Sequence, residues 1–215
     1  MIKDVPFDIS NLKSKRRYEI NKGKKFFDVR VVEPQEYVTS LFDVTIEAIS
    51  SWPEKYRPII NEEIFKEQIQ GWEKAKIYGA FSKETNELCG YAVLEQHLGY
   101  LASSILRVNP KCEKQGINAA IVSFLLEDNS EKLNGNYYIS DGARSIRHET
   151  AFQDYLEKYF GFRKAYCKLH IKYRGIMGIV VKTFYPLRKM IKGNGKLSSL
   201  ILGVLKMEEI KRSFN

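Results

Sequence analysis

The sequence predicts an α+β (mixed α/β) domain. It has a single central, mostly antiparallel sheet flanked by helices, a basic N-terminal helix and a C-terminal helical tail. Three observations lead there. Hydrophobic residues make up 44% of 215 positions, enough for a real core and too many for a disordered chain. Between residues 76 and 108, apolar runs follow one another across short turns, the pattern of an antiparallel meander. On either side of that meander, strand spacing alternates with helical spacing, which calls for one sheet with helices packed on it.

Each element has its own signal. Residues 11–25, NLKSKRRYEINKGKK, read as a basic helix stopped by Gly23 as its C-terminal glycine. Phe27–Val32 is β-branched and reads as a strand. Pro34 opens a helix in which Tyr37, Leu41, Val44, Thr45 and Ala48 recur at helical spacing, and Trp52-Pro53 breaks it. Residues 61–74 form a second helix through Ile64, Phe65, Ile69 and Trp72. Strands follow at 76–82, 87–98 and 100–108, and Pro110 ends the last. A helix over 113–126, a strand over 137–140 and a helix over 147–159 come next, the last stopped by Gly161. Its stripe is Phe152, Tyr155, Leu156, Tyr159 and Phe160. Residues 163–173 alternate as Ala165, Cys167, Leu169, Ile171 and Tyr173, and read as a final strand. Domains are therefore expected at 1–25 (basic segment), 26–174 (the α+β domain) and 175–215 (basic, apolar tail).

The net charge of +9 is unevenly placed. Residues 1–25 carry eight Lys/Arg against three acids, residues 26–162 fourteen against twenty-one, and residues 163–215 thirteen against two. A mildly acidic body thus has two basic ends, which attract phosphate groups, nucleic acid or an anionic membrane surface. Neither a zinc finger nor a glycine-aromatic RNA-binding motif is present. Cys89, Cys112 and Cys167 form no CxxC pair, so neither a zinc knuckle nor a disulfide framework is expected, and a reduced compartment is the simplest setting. No metal is expected, because no two ligand-type residues stand at ligand spacing with a third. The N-terminus lacks a basic-then-apolar leader pattern, and the longest apolar runs, such as 175–181, fall far short of the ~20 residues a spanning helix needs. The expected location is the cytoplasm, with a peripheral hold on the inner face of the membrane.

The stretch that carries chemistry is LRVNPKCEKQGINAAI, 106–121, a strand joined to a helix by a short polar loop. The free N–H groups of a helix's first turn, together with its dipole, bind phosphate. Gly116 lets an anion approach the backbone closely, and Lys111 and Lys114 add positive charge. This spacing resembles the GCN5-related N-acetyltransferase (GNAT) superfamily, whose pattern is a strand, V-x-P, then Arg/Gln-x-x-Gly-x-Gly/Ala opening a helix. Val108 and Pro110 match the V-x-P, and Gly116 the first glycine. Glu113 stands where Arg or Gln is usual, and Asn118 replaces the second small residue. YLEKYFGFRKA, 155–165, is similar to the same family's helix ending in Gly-Phe. KSKRRYEINKGKK resembles the Lys/Arg-rich segment of Fem-type transferases, which use aminoacyl-tRNA or acyl-CoA near the cell envelope.

The resemblance implies acetyl-CoA or another acyl-CoA as co-substrate. It would be held by Val108, Lys111, Lys114, Gln115, Gly116, Ile117 and Asn118, with its pantetheine along the free edge of 100–108, where Ser103-Ser104 mark a bulge. It implies Tyr155 as the acid that protonates the departing thiolate. Asp141, His148 and Glu95 are candidates for the base that takes the amine proton. Asp141 follows a strand at its C-terminal end, where ligands gather. Arg144 and Arg147 could grip an anionic substrate bidentately. His97 and His170 read as structural. Three functions stay open. One is acyl-CoA-dependent transfer to a small amine, such as an amino sugar of a surface glycan. Another is Fem-type transfer from aminoacyl-tRNA. The third, favoured by Glu113 and Asn118, is a non-catalytic membrane- or nucleic-acid-binding module. The tail at 175–215 is expected to reach an anionic membrane surface, Leu197, Leu200, Ile201, Val204 and Leu205 recurring at helical spacing.

Overall fold

A computed structural model describes residues 1–54, 57–142, 151–166, 169–191 and 196–213. The chain divides into two compact units, Met1–Gly142 with Phe152–Arg163, and Ala143–Ala151 with Lys164–Asn215. The basic N-terminal segment thus groups with the sheet, and that unit closes at Arg163.

Among the described residues the first unit is built on β1 (Ile2–Lys3), α1 (Ser14–Phe26), β2 (Phe27–Val32), α2 (Val38–Ser50), α3 (Glu62–Gln70), β3 (Ala75–Ser82), β4 (Leu88–His97), β5 (Tyr100–Val108), α4 (Ile117–Asp128), β6 (Tyr138–Ser140) and α5 (Ala151–Phe160). The strands form one six-stranded sheet in the order β1-β6-β5-β4-β3-β2. Every pairing is antiparallel except β5 with β6. The expected meander is β3-β4-β5. Its central strand is buried on both faces: Ala92 and Leu94 join the cluster under α1, α4 and α5, while Tyr91 and Val93 join the one under α2 and α3. That double burial is why this strand reads as an unbroken apolar run and not as an alternation.

Three expectations are corrected. α1 does not end at Gly23 but runs through it to Phe26. The glycine serves a close crossing instead: a Cβ on Gly23 would lie 2.4 Å from the carbonyl oxygen of Gly116 and 2.9 Å from Cβ of Ala120. The helix expected over 113–126 is two pieces, a 3₁₀ segment Pro110–Gln115 and then α4. Gly116 divides them with φ +85°, a left-handed conformation that interrupts helical hydrogen bonding. The final strand over 163–173 is absent from the described residues. Ile2 bridges Arg163, with Ile2 N–H donating to Arg163 O at 2.9 Å and Arg163 N–H returning to Ile2 O at 2.8 Å. β1 is only two residues long, so its outer edge offers nothing on which a ladder can continue. Leu169, Ile171 and Tyr173 do alternate half-buried with exposed neighbours, but without a partner strand.

The second unit contains α6 (Met177–Phe184), a 3₁₀ turn Tyr185–Leu187 and α7 (Lys196–Arg212). Tyr173 donates its hydroxyl to Glu208 at 2.7 Å, and the ring of Tyr185 lies 4.1 Å from the guanidinium carbons of both Arg188 and Arg212. These contacts fasten α7 to the chain around α6.

In an exposed helix interior Gly→Ala stabilises by about 1 kcal/mol. At Gly23 the backbone oxygen of Gly116 stands in the way, so Gly23→Ala is expected to destabilise by about 1–3 kcal/mol, read as a lower urea midpoint at unchanged slope.

Candidate active site between parted strands

β5 and β6 run parallel only where Tyr100–Ala102 face Tyr138–Ser140. β6 then leaves β5 because it goes on bonding to its other neighbour: Asp141 N–H donates to Met1 O at 2.9 Å. The hydroxyl of Ser140 accepts from Gly142 N–H at 3.1 Å, and Gly142, at φ +75°, turns the chain away. Among the described residues β5 has no partner on that side for its last six residues, to Val108. Its register against β4 jumps from Val93↔Ile105 to Leu94↔Ser103, which makes Ser104 the extra residue of a β-bulge, at the expected place.

Beside the parted strands lies a small cleft, a hollow of about 10 Å³ with room for about one water, lined by Ser103, Leu106, Asp141, Phe152, Leu156 and Phe162 among others. Five of these six are uncharged, so the single carboxyl is poorly solvated. Burial pushes Asp141 up to about 6, against the pull of a hydrogen bond from Gln153 and of the N-terminal amine. A carboxylate with this affinity for protons can take one near neutral pH and release it again.

β5 leads directly into the Gly116 corner. Asn109 ties the loop to β4 by donating its N–H to Cys89 O at 2.8 Å, and its side chain accepts from Lys111 N–H at 3.0 Å. No side chain caps α4, so the N–H groups of its first turn, from Ile117 and Asn118 on, are left for water or an anion. Lys111 and Lys114 are exposed at the rim, as is Glu113, while Gln115 and Asn118 are half-buried and Val108 and Ile117 are buried. The space left by the missing Cβ of Gly116 is taken by protein: Glu19 O would lie 2.9 Å and Gly23 N 3.2 Å from such an atom. α1 thus covers the flank of the turn. In the same loop, burial and the neighbouring Cys89 thiol push Cys112 up to about 12, so it is a thiol at neutral pH.

The remaining candidates fall in different places. Tyr155 lies on the face of α5 next to the cleft-lining Phe152 and Leu156. It packs against Phe152, Tyr159 and Phe160 at ring separations of 5.3–5.9 Å, with the Arg16 guanidinium 5.7 Å from its ring. Burial pushes its hydroxyl up to about 12, so it keeps its proton. Glu95 pairs opposite Ala102 in the β4–β5 ladder, its carboxylate 3.5 Å from His97. His148, Arg144 and Arg147 lie outside the described residues. The apolar walls were missed from sequence. Phe152 and Leu156 carry the i, i+4 signal of a buried helix face, and a cleft lining leaves the same trace as a core. Arg107 was also missed: it stacks 4.7 Å over Trp52 and donates to Leu106 O, and its only sequence signal is a lone charge in an otherwise uncharged strand.

No family model and no curated protein matches this sequence. Among solved structures, L-PGS from Bacillus licheniformis superposes with a TM-score of 0.50 at 16% identity, over 74% of this chain and 57% of that one. The match thus spans little more than half of L-PGS. The ribosomal-protein-S18-alanine N-acetyltransferase from Escherichia coli gives 0.47 at 16% identity, over 65% of this chain and 79% of its own. An aminoglycoside 6′-N-acetyltransferase from Acinetobacter baumannii gives 0.47 at 11% identity, over 69% and 99%. At this identity the L-PGS superposition shows a shared fold.

Asp141 binds a proton more tightly folded than unfolded, where its pKa is about 3.9. Its ionisation therefore weakens the fold as pH rises through about 6. Asp141→Asn is expected to melt a few degrees higher than the parent at pH 8. The difference should vanish by about pH 4, below which both forms are neutral, in thermal unfolding followed by circular dichroism.

Proposed function

We propose that the protein is an N-acyltransferase that moves an acyl group from acyl-CoA to an amine, an amino sugar being one suitable acceptor. The observation that carries this reading is the parting of β5 from β6 beside the uncapped start of α4, with Asp141 in the opening. The thioester would lie in the cleft, its diphosphate on the first-turn amides of α4 with Lys111 and Lys114 at the rim. The unpaired edge of β5 offers backbone N–H and C=O groups to the donor's amides. Asp141 accepts a proton from the amine. The nitrogen then attacks the thioester carbonyl, the C–N bond forms, the C–S bond breaks, and the thiolate takes up a proton. Tyr155 is our candidate for that proton: its hydroxyl stays protonated at neutral pH, and its neighbours on α5 line the cleft.

A second reading is favoured by α1. Protein fills the flank of Gly116, and the same helix exposes Lys13, Lys15, Arg17 and Lys25. An aminoacyl-tRNA donor would find in these cations a grip on its phosphates.

Calorimetry with acetyl-CoA and with aminoacyl-tRNA at two salt concentrations separates the readings. Acetyl-CoA is expected to bind, and Lys111→Glu with Lys114→Glu to weaken it about tenfold or more, about 1 kcal/mol being expected for each charge. Steeply salt-dependent tRNA binding without CoA binding would select the second reading, and binding of neither would leave a non-catalytic module. In an acyl-transfer assay, Asp141→Asn should lower kcat/KM about 10²–10⁴-fold and remove the acidic limb near pH 6. Tyr155→Phe should lower kcat with little change in CoA affinity; unaltered turnover assigns Tyr155 to packing alone.

A further inference from the structure

Among the described residues, the second unit carries an exposed apolar face with an unusual pairing of properties. Along α6 and the residue before it, Ile176, Ile179, Val180, Phe184 and Met177 fall within one continuous arc at 100° per residue, and all are exposed, Ile179 at 70% and Ile176 at 73%. Leu187 and Met190 extend the patch beyond the helix, Met190 at 77%. Val181 alone of α6 is buried, and Lys182 stands away from the apolar arc. A run of exposed large apolar side chains on one short segment is not ordinary surface.

Its electrostatic setting narrows the occupant. Residues 164–207 contain ten Lys/Arg and no Asp or Glu. The two acids that follow are already engaged: Glu208 with Tyr173, Lys211 and Arg212, and Glu209 with Lys206 and Arg188. A second copy of this chain would bring an equally basic, acid-free surface against the first, so self-association is opposed. RNA would satisfy the cations and leave aliphatic side chains facing water. A bilayer with anionic headgroups satisfies both, taking the apolar arc into its interface and the ammonium and guanidinium groups at phosphate level. No helix of the described residues is long and apolar enough to cross a membrane, so contact of this kind is interfacial.

We propose that the α6 face, Ile176 to Met190, is a docking surface for an anionic phospholipid membrane. This goes beyond the transfer reaction and does not rest on it. The test is co-sedimentation of the full chain with vesicles of phosphatidylcholine alone or mixed with phosphatidylglycerol. Binding is expected to the mixed vesicles, about tenfold or more weaker to phosphatidylcholine, and weaker again at high salt. Ile179→Asp with Phe184→Asp should cost about tenfold or more in partitioning. The circular dichroism spectrum and acetyl-CoA affinity should be unchanged, because both side chains are exposed. Lys182→Glu with Lys189→Glu should reduce binding to the mixed vesicles only. Equal binding to both lipids, binding untouched by the aspartate pair, or loss of binding to competing RNA would overturn the proposal. So would a dimer in sedimentation velocity that the aspartate pair dissolves.

Discussion

The approach of Gly23 to Gly116 is the constraint on which the first unit depends. Two backbones 93 positions apart in sequence meet with no side chain between them. That contact seats α1 on α4, and α4 lies across the sheet. Arg16, two turns earlier on α1, is buried over the rings of Tyr159 and Tyr155, at 3.2 and 5.7 Å from their centroids, and joins α5 to the same layer. A helix with seven Lys/Arg in its neighbourhood is thus held by a narrow buried stripe of Arg16, Ile20 and Gly23, while its other charges are half-buried or exposed. The same contact explains the demand for glycine at 116 twice over. The turn needs a positive φ, and α1 needs the room.

The cleft owes its existence to competition for the edges of a three-residue strand. β6 has β5 on one side and β1 on the other, and past Ser140 it keeps only β1. The strands part, a bulge in β5 bends the opening, and the only charge among the six named lining residues is Asp141. A carboxyl in such a place holds its proton more tightly because apolar walls replace water. The environment that raises the proton affinity of Asp141 also costs the fold stability once it ionises.

The two units divide the charge between them. The acidic balance lies in the body, where Asp128 binds Lys76 and accepts from Tyr78, and Asp4 pairs with Arg163. Among the described residues of the tail, Arg188, Lys206, Lys211 and Arg212 pair with Glu208 and Glu209. Most of its cations and large aliphatic side chains are left at the surface together, a combination that neither a soluble core nor a nucleic acid satisfies as well as a charged bilayer.

Sequence alone determined what local periodicity and turn chemistry determine. The β3-β4-β5 meander follows from three apolar runs and their short turns, α2 and α3 from helical spacing, and the strand-to-helix corner from Val108, Pro110 and Gly116. Asp141 was legible because it ends a strand. Tertiary structure decided what depends on distant partners. Gly23 reads as a stop until α4 is seen lying against it. Residues 163–173 alternate as a strand, yet the two-residue β1 gives them no edge to extend along. Phe152 and Leu156 read as core, and only the parting of β6 from β5 turns that core into the wall of a cleft. Periodicity reports which side chains leave water. It cannot report whether they meet other side chains or an opening, because that is set by backbone paths far apart in the chain.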